Sequence, residues 1–145
     1  MFWNRRPPFC KINPTCYALS LQKEIIKRHL KNFFSKEKFA KEILPTTLPN
    51  VITDYNCGLI KTGKGIDPVL QENKAVNIQL ACEKINGMVI HPGEVFSFWV
   101  TVGKTTKAKG YREGRVIING RLIAGLGGGL CNLVNTIHYN RWSFL

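Results

Sequence analysis

Cys131 is the residue whose type and setting are best suited to covalent chemistry. It follows the run Gly125-Leu-Gly-Gly-Gly-Leu130 and leads into an apolar stretch with helical spacing, Leu133, Val134 and Ile137. A cysteine at a helix start meets unpaired N–H groups and the positive end of the helix dipole. That setting lowers a thiol pKa to roughly 3.5–7.5 and gives a thiolate at neutral pH. Thiol hydrolases and transpeptidases pair such a thiolate with a histidine base and an amide donor for the oxyanion. On this reading Cys131 is the nucleophile and Asn132 the donor. Gly127, Gly128 and Gly129 let a substrate approach the backbone, and Tyr111 and Arg112 either line the pocket or flank a hairpin.

Two other readings use the same residues. The glycines permit a tight strand-to-helix turn against neighbouring backbone, with Cys131 a small buried side chain. Alternatively, the N–H cluster receives an anion; no Lys-Ser/Thr follows the glycines, so it is not a nucleotide-triphosphate loop. The base is the weak member of the catalytic reading. His138 lies seven residues further along the same helix, roughly 10 Å away by helical rise. His91 sits in the turn "HPGE", and His29 belongs to a distant helix. Glu94 and Glu113 are the nearest acids, and nothing in the sequence pairs them.

Cys10, Cys16, Cys57, Cys82 and Cys131 are odd in number and contain no C-x-x-C pair, so neither a structural metal nor a cofactor is expected. Cys82 reads as a small core hydrophobe. The formal net charge of +12 favours anionic partners: nucleic acid, lipid headgroups or phosphate-bearing wall precursors. Phe33, Phe34 and Phe39 have helix-core spacing and form no stacking platform, so specific nucleic-acid binding is not expected. An anionic cell-wall precursor or a membrane surface remains as partner. No apolar run approaches the ~20 residues of a membrane span, and the N-terminus lacks a signal-peptide pattern, which makes the cytoplasm the default location. The sequence does not fix an oligomeric state.

These residues must be positioned by a small α+β framework. With 44% hydrophobic and 21% charged residues, the 145-residue chain reads as globular. Residues 1–50 form a basic helical segment, carrying ten Lys/Arg against three Glu, and 51–145 form the core domain. The periodicity of Leu21, Ile25, Leu30, Phe33 and Phe34 predicts an amphipathic helix over 20–34, capped by Ser20 and packing its apolar stripe on its own domain. "KEKFAKEI" continues it as a short helical piece, and "LPTTLPN" breaks it. A second helix begins at Asp67-Pro68 and ends before Gly87; Val69, Val76, Leu80, Ala81 and Ile85 form its buried side. "MVI" and "VFSFWV" read as paired strands. "GRVIINGRLIAG" reads as a hairpin turning at Asn119-Gly120, followed by the glycines and a last helix. The sheet is expected to be incomplete.

The motifs P-G-E-x-F-S-F-W, V-G-x-x-T, K-G-Y and G-x-G-G-G-x-C occur in this order between Asp67 and Tyr139. In this the chain resembles the VanW family, named for its association with vancomycin-resistance gene clusters. The resemblance implies a bacterial protein of the cell envelope or glycopeptide resistance, in an accessory or binding role. The alternative is a cysteine-dependent enzyme using Cys131. Two departures stand out: family members carry Gln directly after the motif cysteine, where this chain has Asn132, and they continue past the cysteine helix. The chain is therefore expected to be truncated at its C-terminus, where Trp142, Phe144 and Leu145 leave apolar surface only partly covered. A histidine base would lie in the missing part, leaving the enzyme inactive here and the domain marginally stable.

Overall fold

The computed structural model describes residues 13–46, 48–118 and 121–142. The chain divides into two compact units, Met1–Lys38 and Phe39–Leu145. The first contains α1, Pro14–Phe34. It begins six residues earlier than expected, because the cap is Asn13 and not Ser20. The Asn13 Oδ1 accepts the Cys16 N–H at 2.7 Å, and Pro14 occupies the first turn, where its missing donor costs nothing. No residue of α1 is buried, and Phe33 and Phe34 are 82% and 77% exposed. The apolar stripe thus supplies no core to this unit.

Residues 36–43 are extended and not helical. β1 (Lys38–Phe39) pairs with β2 (Glu94–Val95), and Ile43 bridges Met88. Ala40 donates to the Val95 carbonyl, Leu44 to that of Gly87, and Val89 to that of Glu42. These long-range backbone bonds take the donors a local helix would have used, and tertiary pairing overrides propensity.

α2 spans Pro68–Ile85, with the Asp67 carboxylate accepting the N–H groups of Val69 at 2.8 Å and Leu70 at 3.4 Å. Gly87 follows its end at φ 78°, a left-handed position that favours glycine. The buried side of α2 matches expectation in part: Ala81 is buried and Leu80 and Ile85 pack on the core, but Val69 is 61% exposed and the other buried residues, Gln71, Lys74 and Asn77, are polar.

"VFSFWV" is not a strand throughout. Val95 ends β2, and Phe98–Val102 forms the short helix α3. Phe98 and Val102, four residues apart, are both buried on one helical face, while Trp99 and Val100 stay exposed. The alternating reading missed this spacing of four. β3 (Glu113–Ile118) and β4 (Arg121–Leu126) form the expected antiparallel hairpin, in register from Glu113↔Leu126 to Ile118↔Arg121. Its turn, Asn119-Gly120, lies outside the described residues, as do Phe144 and Leu145. α4 spans Leu130–Trp142. Its Leu133 and Ile137 pack on the core, and Val134 is 36% exposed.

The core is Ala81, Phe98, Val102, Tyr111 and Leu130, joined by partly buried Ile78, Leu80, Ile85 and Phe96. Among the described residues the architecture is α+β: four helices and two separate two-stranded sheets, neither closed.

Candidate functional site

The glycine loop between β4 and α4 is held from below by the polar side of α2. Asn77 is fully buried, and its side-chain amide is saturated by backbone. Nδ2 donates to the carbonyls of Arg112 and Gly128, both at 2.9 Å, and Oδ1 accepts the Arg112 N–H at 2.8 Å. One turn earlier, Asn73 Nδ2 donates to the Glu113 carbonyl at 2.9 Å. Gln71 Oε1 accepts the Lys61 N–H at 3.2 Å, which ties the 51–62 segment to α2. A buried amide is tolerated when its hydrogen bonds are made, and here they join three chain segments.

The fourth member of the stripe is Lys74, only 6% exposed. Loss of hydration on burial pushes its pKa below the usual lysine value, and the Lys61 and Arg115 cations add to the effect.

Each glycine of the loop is closely approached by the chain's own atoms. Gly128 is buried and lies backbone to backbone against Gly114; a Cβ there would overlap the Gly114 carbonyl carbon. At Gly129 (φ 96°) a Cβ would overlap the aliphatic stem of Lys74, and at Gly127 (φ 73°) it would meet Thr105 Oγ1 at 3.0 Å. Tyr111 lies within the core at 5% exposure; burial, with Glu83 adding, pushes its phenol pKa up. Arg112 is exposed, and its contribution here is its backbone, which bonds Asn77 and accepts the Gly127 N–H.

Cys131 stands in the first turn of α4 as an exposed free thiol. Asn132 is also exposed, its N–H bonded to the Gly129 carbonyl at 3.0 Å. His91 Nε2 lies 2.7 Å from Glu42 Oε2, and His138 is on α4 itself. Among the described residues no hydrogen bond or ion pair joins Cys131 to a histidine, and no group of three or more His, Cys, Asp or Glu could hold a metal ion.

A cleft of about 410 Å³ opens between the 55–59 segment and α4; Asn132 lines it, and Cys131 does not. Tyr55, Leu59, Ile78 and Leu133 give it apolar walls, and Asn56, Asn132, Asn135 and Thr136 give polar ones. Tyr55 stacks tilted on Tyr139 at 5.4 Å, and the Cys57 sulfur sits 4.0 Å from Thr136 Oγ1.

The residues that hold this site, Gln71, Lys74 and Asn77, escape the hydrophobic pattern. Their signal in the sequence is spacing alone: polar residues at 71, 74 and 77 recur every three positions on one helical face. The thiols follow from the same packing. Burial pushes the Cys82 thiol pKa up, whereas Cys57 and Cys131 are exposed. Iodoacetamide at pH 7.5 is expected to modify Cys57 and Cys131 in the native protein well before Cys82, with the difference vanishing in denaturant; peptide mass spectrometry reads this directly.

A family model described as "VanW like protein" matches residues 73–143. The chain is 38% identical over 107 residues to the vancomycin B-type resistance protein VanW of Enterococcus faecalis, covering 74% of this chain and 38% of that protein. It is 38% identical over 66 residues to the uncharacterized protein YoaR of Bacillus subtilis, covering 46% of this chain and 22% of that one. The chain thus spans well under half the length of these relatives. No solved structure matches it significantly.

Proposed function

The chain belongs to the VanW family, and from that premise we propose that it acts in bacterial glycopeptide resistance at the cell envelope, as an accessory or ligand-binding protein. The observation that carries this reading is the identity over 107 residues to a protein named for vancomycin resistance. Among the described residues, no helix is long and apolar enough to cross a membrane.

The geometry favours binding over catalysis. A nucleophile and its base act as a unit, and Cys131 stands without a histidine partner among the described residues. The glycines that a substrate would need to approach are already packed against Gly114, Lys74 and Thr105. An open cleft with mixed walls beside α4 is suited to holding a ligand.

The test is genetic. In a bacterium with an inducible vancomycin-resistance cluster from which the VanW gene has been deleted, supplying this chain is expected to raise the minimum inhibitory concentration, and Cys131→Ala is expected to do so equally. No rise with either chain overturns the resistance role. A rise lost only in Cys131→Ala overturns the non-catalytic reading. So does labelling at pH 6 in which Cys131 far outpaces the exposed Cys57, since an activated thiolate reacts where an ordinary thiol does not.

A further inference from the structure

We propose that α1 lies in the surface of an anionic lipid bilayer, with Leu19, Ile26, Leu30 and Phe33 at the acyl boundary and Lys23, Lys27 and Lys31 among the headgroups. This goes beyond the reading above and does not depend on it.

The first support is a helix face patterned for burial that buries nothing. Leu19, Ile26, Leu30 and Phe33 follow one another at intervals of seven, four and three residues, which places them on one side of a helix with 3.6 residues per turn. Each is more than half exposed, and no residue of α1 is buried. Phe34, whose ring centroid lies 5.4 Å from that of Phe33, extends the exposed apolar surface at the C-terminal end. Polar and apolar residues are more sharply segregated on α1 than on α2 or α4, yet α2 and α4 are the helices that supply core residues. A contiguous apolar surface rimmed by charge and left in water marks an interaction site.

The second support is charge, and it selects the occupant. α1 carries Lys23, Lys27, Arg28 and Lys31 against a single acid, Glu24. Lys23, Lys27 and Lys31 stand one turn apart in a row along the flank of the apolar face, and like charges at that spacing repel one another. Among the described residues none of the four cations is in an ion pair. A helix docked on a protein core gains from mixed signs on its outer face, whereas this row calls for negative charge from outside the chain. Anionic headgroups supply that charge in a plane, directly beside an apolar phase that takes the stripe.

The dimensions agree. From Leu19 to Phe33 the stripe runs about 21 Å along the axis at 1.5 Å per residue, so its four side chains meet the acyl boundary over nearly four turns. Lysine stems can lie along that boundary while their ammonium groups reach up to the phosphates. Among the described residues no helix is long and apolar enough to cross a membrane, so α1 lies in the interface plane, where basic amphipathic helices bind reversibly and in proportion to lipid charge.

Co-sedimentation of the whole chain with vesicles of phosphatidylcholine alone, or of phosphatidylcholine and phosphatidylglycerol in equal parts, tests this. The anionic vesicles are expected to bind the chain, and the neutral ones about tenfold or more weakly. Ile26→Ser combined with Phe33→Ser should weaken binding to the anionic vesicles by about tenfold or more through lost apolar burial. Lys27→Gln combined with Lys31→Gln should do so to a similar extent through lost charge. Lys64→Gln combined with Lys104→Gln, both exposed and in the second unit, should leave binding unchanged. Circular dichroism checks each fold; if the serine pair loses helix, the glutamine pair on α1 carries the test. No binding to anionic vesicles, or equal binding to both kinds, overturns the proposal. So does an equal loss in the second-unit control, which would make the attraction one of net charge alone. A chain that ignores vesicles and sediments as a dimer, separated by the serine pair, shows instead that a second copy covers the stripe, and the proposal falls. Vesicle binding is read on pure protein, so its failure is separate from the failure of the resistance phenotype.

Discussion

Replacing Asn77 by leucine is expected to destabilise the second unit by about 3 kcal/mol or more, since each buried backbone group left without a partner costs about 1–3 kcal/mol. Leucine keeps the branched outline of the fully buried side chain with the same number of heavy atoms, though its methyl groups are larger and add some overpacking. What is lost is the set of three bonds to the Arg112 N–H, the Arg112 carbonyl and the Gly128 carbonyl. Among the described residues, only the Arg112 carbonyl of these groups has another donor, the Gly127 N–H. Asn77→Asp separates shape from bonding. It keeps an acceptor for the Arg112 N–H but turns a carboxylate oxygen toward two carbonyls, so it must be protonated to fit. Its folded pKa is then raised above the unfolded value of ~3.9. The folded state binds more protons in that window, and stability falls as pH rises through it. Urea unfolding followed by circular dichroism should therefore show Asn77→Asp closest to the parent protein near pH 4 and furthest from it at pH 7.5. Equal losses for Asn77→Asp at both pH values would refute this account of the bonds.

Gly128→Ala is the second large effect, and its cause is different. No side chain is removed and no positive φ is involved; a single methyl group is driven into the backbone of Gly114. Overpacking by one carbon ordinarily costs about 1–3 kcal/mol, and backbone cannot rotate away as a side chain can. A loss at or above the top of that range is expected. Gly58→Ala is the matched control, because nothing lies within 4 Å of its added carbon. There the substitution should be neutral, or stabilise by up to about 1 kcal/mol through the unfolded chain. Thermal melts of the two variants side by side decide the matter: similar midpoints would show that the loop relaxes freely and that Gly114 and Gly128 are not in forced contact.

What the sequence made legible was local. The Asp67-Pro68 start of α2, its end before Gly87 and the hairpin register each depend on residues within a few positions of one another, and each is found where expected. Residues 36–43 were misread because their partners are near residues 87–95, and no local pattern announces a strand so short. The polar part of the buried side of α2 is missed for a related reason. Hydrophobicity marks what leaves water readily, but Asn77 is inside because three backbone groups from elsewhere need it there. The glycine loop was legible as a place where atoms come close. Which atoms they are, Gly114 and the Lys74 stem, depends on the assembled fold.

The Asn77 amide also bears on the order in which the molecule can assemble. Its partners lie 35 and 51 residues away along the chain, so a half-formed molecule gains nothing from it. Closing loops of that length must be achieved before the bonds that reward the closure exist. Helix α2, with its own cap, can flicker into being early, but the strand after Tyr111 and the turn before α4 have to arrive together to be captured. The residue that locks the site is thus of little help in finding it, and the barrier to folding falls on the search that brings the two late segments to one waiting side chain.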